Sequence, residues 1–259
     1  MPDFYANRVY RIGQIERKSR ELTTFTVTVK ETNLFIQAEA DFTKVAEDTV
    51  FSLRHNLESY IKTRPEFLTS LKPIDGDPSA PKIVKEMIED SRSAGTGPMA
   101  AVAGAIAERV AHAISDAADA GDRRGGSGKD VIVENGGDVF MLTTGERVIG
   151  LHGGDSLFGL GIRVSAHQLG ISGIGISSSS AVLGESLSLG SCDLATVVAK
   201  RGALSDTAAT ALGNRVKNVK DIEDALGEIV DIPDVIGGLV IINGKMGVKG
   251  EITLVALNE

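Results

Sequence analysis

The chain has 259 residues, and its 42% apolar content is enough to bury the core of one large or two modest domains. Its formal net charge of −8 argues against nucleic acid as the main partner. It has neither the ~18 consecutive apolar residues of a membrane span nor the apolar run of a secretory signal, so we expect a cytoplasmic protein with no membrane partner. A single cysteine, Cys192, and four scattered histidines exclude an internal disulfide and disfavour zinc, which leaves oxygen atoms as metal ligands.

Periodic apolar patterns predict the elements of the N-terminal half. Alternation of apolar residues with threonines is typical of strands, and apolar steps of three and four are typical of a helix with one buried face. Prolines interrupt the helical pattern between the predicted helices, and Pro98 stands at the first position of the predicted long helix. In chain order the patterns predict a hairpin over 22–38, a helix over 42–63, a short helix over 83–88, a long helix after Pro98 and a surface loop over 116–129.

The second half repeats this order of strand pairs and helices. Strand pairs that alternate with helices favour an α+β domain, with antiparallel sheets and helices packed on one face. We treat 1–259 as one domain, divisible into subdomains over about 20–145 and 146–259. The predicted elements are strands over 131–134, 139–142, 148–151, 161–164 and 173–177, a helix over 222–229, and a closing hairpin of 238–244 with 251–256.

The stretch Gly202–Asn214 consists mainly of small residues and carries one carboxylate, Asp206, with one hydroxyl, Thr210, four positions later. On a helix these two side chains share a face, so they can offer two oxygens to one hard cation. The glycine and asparagine at the end of the stretch predict the end of the helix. The alternative is that Asp206, after Ser205, is simply the N-cap of this helix.

A second candidate is the turn Asn135-Gly136-Gly137-Asp138, which joins two predicted strands. Its glycines can take positive φ without penalty, so backbone N–H groups can approach an anion closely. Asn135 and Asp138 could also bind a hydroxyl or the edge of a base. The alternative is an ordinary hairpin tip.

A third candidate is the serine run Ser177, Ser178 and Ser179 at the end of a predicted strand. Consecutive hydroxyls and backbone amides can hold phosphate oxygens without a charged side chain. The alternative is a solvated serine loop.

Four motifs in this order resemble those of the ApbE superfamily, which includes the magnesium-dependent FAD:protein FMN transferases. They are Gly104-Ala-Ile-Ala-Glu-Arg109, Val133-Glu-Asn-Gly-Gly-Asp138, Gly175-Ile-Ser-Ser-Ser179 and Ser205-Asp-Thr-Ala-Ala-Thr-Ala211. With Gly97–Ala107 and Gly184–Gly190 included, the chain resembles more closely an ApbE-related family of archaea and bacteria. The resemblance extends from the first hairpin to the C-terminal strands.

The resemblance implies a T-fold-like α+β architecture and a Mg²⁺ ion held by Asp206 and Thr210, with backbone carbonyls near the 104–109 motif and near Ala209. It implies FAD or FMN as the nucleotide, which the 135–138 turn and the serines at 177–179 would help to bind. In the transferases the metal polarises the FAD pyrophosphate, a threonine of a protein acceptor attacks, and AMP leaves, so Asp206 and Thr210 would also be the catalytic residues. One carboxylate suffices, because Mg²⁺ usually takes one or two and leaves other positions to water and phosphates.

The chain departs from the transferase motifs at several positions. Glu108 and Arg109 replace a lysine and a glycine, and Glu185–Asp193 stands where a His-x-x-Asp-Pro-x-Thr-Gly segment is expected. One hypothesis is therefore a protein that binds a flavin or related nucleotide with Mg²⁺ and transfers a nucleotidyl or FMN group. A second is a non-catalytic ligand-binding or assembly protein, and a third is that Asp206 to Thr210 is only a capped core helix. An exposed edge strand at a terminal hairpin is compatible with a homodimer.

Overall fold

The computed structural model describes residues 22–121, 130–143, 145–151, 159–165, 169–180 and 192–257. The strands are β1 (Thr23–Val29), β2 (Thr32–Ala38), β3 (Val131–Asn135), β4 (Asp138–Leu142), β5 (Glu146–Gly150), β6 (Leu160–Ser165), β7 (Gly173–Ser179), β8 (Leu194–Ala199), β9 (Val235–Ile242), β10 (Lys245–Gly250) and β11 (Thr253–Ala256). Within these residues one antiparallel sheet has the order β1-β2-β3-β4-β7-β8-β9-β10, and a smaller one has the order β11-β6-β5.

The helices are α1 (Thr43–Thr63), α2 (Glu66–Thr69), α3 (Lys82–Ala94), α4 (Val102–Gly121), α5 (Gly202–Arg215) and α6 (Ile222–Val230), and a 3₁₀ turn (Pro98–Ala101) precedes α4. Helices cover one face of the large sheet, and the small sheet covers the other. Alternate strand residues divide accordingly: Val133 and Phe140 belong to the helix-side core, whereas Ile132 and Met141 pack toward the small sheet. The predicted α+β class is confirmed. None of the described helices has the length and apolar character that crossing a bilayer requires.

Elements with a strong local pattern lie where they were predicted. The first hairpin pairs β1 with β2 in the register Val27↔Leu34. Helix α1 begins at Thr43, one residue later than predicted, and buries Ala46, Val50 and Leu57 at steps of four and seven. These spacings keep the three side chains on one face of the helix, as the predicted stripe required.

Two helices are longer than predicted. Helix α3 runs to Ala94 and ends where Gly95 takes a left-handed φ of 79°, a common helix stop. Helix α4 runs to Gly121, so the loop predicted over 116–129 is wrong for its first six residues. Alanines in this stretch favour the helix, and the charged residues that suggested a loop lie on its partly exposed side. Residues 122–129 lie outside the described part of the chain.

The predicted C-terminal hairpin was wrong in its second strand. Strand β9 turns at Asn243 and Gly244, with φ of 51° and 69°, and pairs with β10. The missed signal was this Asn-Gly pair, which is typical of two-residue hairpins. Gly250, with φ of 93°, ends β10, and the apolar run that follows forms β11, which pairs with β6 in the small sheet.

The two halves of the large sheet have the same order. In each half a hairpin is followed by helices and then by a second hairpin, and the halves meet where β4 pairs with β7. Helix α4 packs on β3 and β4, α5 packs on β7 and β8, and the two helices contact each other. The candidate residues gather where these helices cross above the β4–β7 seam.

Candidate functional site

Helices α4 and α5 touch through their backbones at two glycines. A Cβ added to Gly104 would lie 2.1 Å from the carbonyl oxygen of Gly202, and one added to Gly202 would lie 2.4 Å from the carbonyl oxygen of Gly104. Beneath them, a Cβ on Gly175 of β7 would lie 2.8 Å from Gly202 Cα. The three glycines therefore allow two helices and a strand to approach more closely than any side chain would permit.

Each helix caps the other at this crossing. Glu108 Oε2 accepts a hydrogen bond from the N–H of Gly202 (2.8 Å), and Asp206 Oδ2 accepts one from the N–H of Gly104 (2.9 Å). On both helices the carboxylate follows the glycine by four residues, one helical turn. The caps satisfy N–H groups that have no partner within their own helix. Asp206 is thus a cap, but of α4; the alternative that it caps its own helix is wrong.

Asp206 and Thr210 lie on one narrow, partly accessible stripe of α5. Between Gly202 and Gly213 these two residues alone are half-buried, and every other residue of that segment is buried. The predicted shared face is confirmed, and the helix ends at Arg215, one residue beyond the predicted stop. Asn214, also half-buried, extends the stripe by another four residues; its spacing was readable in the sequence but was not singled out. Ala209 is buried against the core.

The 135–138 turn is tied to the start of α4. Asn135 Nδ2 donates to the carbonyl oxygen of Ala103 at 3.0 Å, and within the turn the N–H of Gly137 donates to Glu134 Oε1 at 2.6 Å. Gly136 and Gly137 have φ of 68° and 107°, and an added Cβ on either would meet nothing within 4 Å. Strand pairing makes this turn a hairpin tip, as the alternative held, and the space beside its glycines is open.

Asp138, the last residue of that turn, lies on the helix side of the sheet together with Phe140. It is 8% exposed, and its Oδ1 has no hydrogen-bond partner among the described residues. A buried oxygen of a carboxylate without a partner is costly, because water no longer solvates it.

The serine run continues β7 rather than forming a loop, and its members lie on alternating faces. Ser177 is fully buried and its Oγ lies 2.8 Å from Ser205 Oγ on α5. Ser178 bonds Thr196 on the neighbouring strand at 2.9 Å. A Cβ added to Gly213 of α5 would lie 3.4 Å from Ser179 Oγ, which places Ser179 on the helix side. Ser177 and Ser179 therefore face α5, whereas Ser178 does not. The 184–190 segment lies outside the described residues.

Burial and mutual repulsion dominate the electrostatics of the site. Burial raises the pKa of Asp206 well above its ordinary value and the charge of Asp138 raises it further, while the N–H groups of Gly104 and Ala103 oppose both. Burial also raises the pKa of Asp138 to about 7; Ser177 opposes this rise, and the charge of Glu134 adds to it. Neither aspartate forms an ion pair with a described residue. The pair would be stabilised by a proton or a cation.

A protein-only metal cage is absent from the described residues, because no three His, Cys, Asp or Glu side chains are grouped to hold an ion. A metal at Asp206 would therefore need neutral oxygens as its remaining ligands, such as the Thr210 hydroxyl, backbone carbonyls, water or phosphate. This donor set suits Mg²⁺, which keeps several waters and takes few carboxylates.

A second buried charge holds the start of α5 in place. Arg201 pairs with Asp90 of α3 at 2.6 Å, and Asp90 is only 1% exposed. Burial raises the pKa of Asp90 to about 7, although Arg201 opposes the shift. The hydroxyls of Thr96 and Thr207 are also hydrogen-bonded between the α3–α4 connection and α5. Sequence reasoning missed these contacts, since they join residues more than 90 positions apart.

A family model described as AbpE bacteria matches residues 15–233. A UPF0280 protein of Methanocella arvoryzae is 35% identical over 225 residues, which cover 86% of this chain and 87% of that protein. A UPF0280 protein of Methanocaldococcus jannaschii is 36% identical over 233 residues, with coverage of 87% and 90%. The crystal structure of the Pseudomonas stutzeri flavinyl transferase ApbE, apo form, is similar with a TM-score of 0.52 at 11% identity, covering 91% of this chain and 97% of that one.

The chain belongs to this AbpE bacteria family, and it shares its fold with the Pseudomonas stutzeri ApbE structure.

Proposed function

We propose that this member of the family binds Mg²⁺ together with a flavin or related nucleotide at Asp206 and Thr210, and that it transfers a nucleotidyl or FMN group to a protein acceptor. The observation that carries the proposal is that Asp206 lies half-buried beside Thr210 on the accessible stripe of α5, and that no lysine, arginine or histidine among the described residues pairs with it. The fold shared with a flavinyl transferase supports the class of reaction.

The residues of the site fit the metal. Asp206 supplies one carboxylate whose orientation is fixed by the N–H of Gly104, and Thr210 supplies a neutral oxygen on the same face. Magnesium bound there would neutralise and polarise a pyrophosphate. The Oδ1 of Asp138, which has no hydrogen-bond partner among the described residues, provides a further acceptor.

The capped helix ends constrain where phosphate can bind. Glu108 and Asp206 already accept N–H groups from the first turns of α5 and α4, so the amides of Gly202 and Gly104 are not free to bind an anion at the crossing. A phosphate would instead be held through the metal and through groups facing the open glycine turn. Displacement at phosphorus depends mainly on such positioning and charge neutralisation.

Nucleotide binding can be measured by titrating the purified protein with FAD, FMN and ATP, with and without Mg²⁺. We expect binding that depends on Mg²⁺ and is lost in Asp206→Asn, which keeps a side-chain oxygen for the N–H of Gly104 and therefore stays folded. Asp231→Asn, the same change at an exposed residue after α6, is the matched control and should bind like wild type. Absence of nucleotide binding, or equal binding by Asp206→Asn, would refute the proposal.

A non-catalytic role is the second candidate, and the position of Glu108 favours it. This residue replaces the lysine of the transferase motif, and its carboxylate is engaged in capping α5. Incubation with FAD, Mg²⁺ and a candidate acceptor domain separates the two functions. Release of AMP with covalent flavin on the acceptor establishes transfer, whereas tight nucleotide binding without AMP release across acceptors supports the non-catalytic role.

A further inference from the structure

One oxygen of the buried Asp138 carboxylate has no hydrogen-bond partner among the described residues. The residue is only 8% exposed, and its Oδ1 makes no hydrogen bond to a described residue. Asp138 begins β4 directly after Gly137, in register with Asn135. Since Asn135 is bonded to Ala103 at the start of α4, the turn holds Asp138 rigidly beside the crossing of the two helices.

Asp138 and Asp206 interact with each other across this crossing. Asn135, the cross-strand partner of Asp138, donates to the carbonyl oxygen of Ala103, and Asp206 accepts from the N–H of the next residue, Gly104, so the hairpin and α5 meet at the same point of α4. Ser177, which interacts with Asp138, is a neutral group that also contacts Ser205, so it cannot compensate a charge. No described lysine, arginine or histidine pairs with either aspartate. Two carboxylates that converge in a poorly solvated place are stabilised when a cation or a proton joins them.

We infer that Asp138 is a second carboxylate ligand, and that one divalent cation with a preference for oxygen is held between Asp138 Oδ1 and Asp206. The inference rests on the proposed metal site and extends it from α5 to the hairpin. Two carboxylates are within the usual number for Mg²⁺, and the remaining positions stay open to Thr210, water and phosphate. The Asn135-Gly136-Gly137-Asp138 turn would then bind the metal directly as well as lining the space for the nucleotide.

The alternative is that the two aspartates only share a proton and that Asp138 has a structural role. The alternatives differ in what Asp138→Asn changes. Under a structural role, the substitution alters stability equally with and without metal and leaves metal affinity unchanged. Under the metal role, the substitution weakens metal binding and reduces the stabilisation that the metal confers.

The experiment is a titration with Mn²⁺ alone, followed by electron paramagnetic resonance and by calorimetry, on wild type, Asp138→Asn, Asp206→Asn and the control Asp231→Asn. We expect Asp138→Asn to weaken Mn²⁺ binding at least about tenfold and Asp206→Asn to weaken it further, while the control stays within about twofold of wild type. Thermal melts should show a smaller Mn²⁺-induced rise in Tm for Asp138→Asn than for wild type. Asp138→Ser provides a second variant if the asparagine variant does not fold.

The outcomes separate the two proposals. Wild-type Mn²⁺ affinity in Asp138→Asn, together with lost affinity in Asp206→Asn, overturns the role of Asp138 and leaves the proposed function standing. Absence of Mn²⁺ binding by the wild-type protein, or unchanged binding in Asp206→Asn, overturns both.

Discussion

Replacing Gly104 with alanine is the most direct perturbation of the crossing of α4 and α5. The new Cβ would lie 2.1 Å from the carbonyl oxygen of Gly202 and 2.9 Å from Asp206 Cβ, whereas real Cβ contacts essentially never fall below 3.0 Å. The neighbouring atoms are backbone and the base of a side chain, so they cannot rotate away. The helices must therefore separate by about 0.9 Å or more in a closely packed region.

The cost follows from this separation. Overpacking of this kind costs about 1–3 kcal/mol. The two capping hydrogen bonds, from Gly202 to Glu108 and from Gly104 to Asp206, stretch at the same time, and losing a cap costs about 1 kcal/mol. Alanine in a helix returns about 1 kcal/mol through its higher propensity. We therefore expect Gly104→Ala to lower the free energy of unfolding by about 2–4 kcal/mol.

Urea denaturation followed by circular dichroism measures this change, and Gly213→Ala is the matched control. Gly213 lies in α5, but a Cβ there would meet Ser179 Oγ at 3.4 Å and Cys192 Sγ at 3.6 Å, which are ordinary contacts. Its substitution should be neutral or stabilising by up to about 1 kcal/mol. Equal stability of Gly104→Ala and Gly213→Ala would refute the backbone contact between the helices.

Three further predictions concern groups around the crossing. Glu108→Ala should cost about 1–2 kcal/mol and Glu108→Gln clearly less, because glutamine keeps an oxygen for the N–H of Gly202; equal costs in urea melts would contradict the cap. Burial raises the pKa of Asp90 to about 7, above its unfolded value, so its contribution to stability is present in acid and falls as the pH rises from about 4 to 7. Through this group the wild-type protein should lose about 2–3 kcal/mol of its free energy of unfolding between pH 5 and pH 8, and Asp90→Asn should abolish that loss. The same dependence of stability on pH in both proteins would contradict this. Burial also raises the pKa of the Cys192 thiol to about 11, so a thiol reagent at pH 8 should label it only in denaturant; rapid labelling of the native protein would contradict its burial.

Local patterns were sufficient to predict much of the fold. The α1 stripe, the first hairpin and the strands around the glycine turn depend on spacing within one segment. The partner of a strand depends on distant residues, and for that reason the run that forms β11 was paired with β9 instead of β6. Strand β10 was not predicted because it is an exposed edge strand with few apolar residues, so the Asn-Gly pair before it was its only local mark.

In the candidate site, too, local spacing was predictable from the sequence and contacts between distant residues were not. The shared face of Asp206 and Thr210 followed from a four-residue spacing alone. The three serines were predicted as one cradle, but strand geometry separates Ser178 from Ser177, because consecutive side chains of a strand point to opposite faces. The capping role of Glu108 was not predictable, since it depends on a contact with Gly202, which is 94 residues away in sequence.

The exchanged caps at the crossing bear on how the chain could be divided. A fragment containing only the first half would keep the amide of Gly104 but lose Asp206, and the complementary fragment would keep the amide of Gly202 but lose Glu108. Each piece would expose an unsatisfied helix start that only the other piece can complete. Co-expressed halves should accordingly recognise one another and reassemble, whereas either half alone should fail to reach the native state.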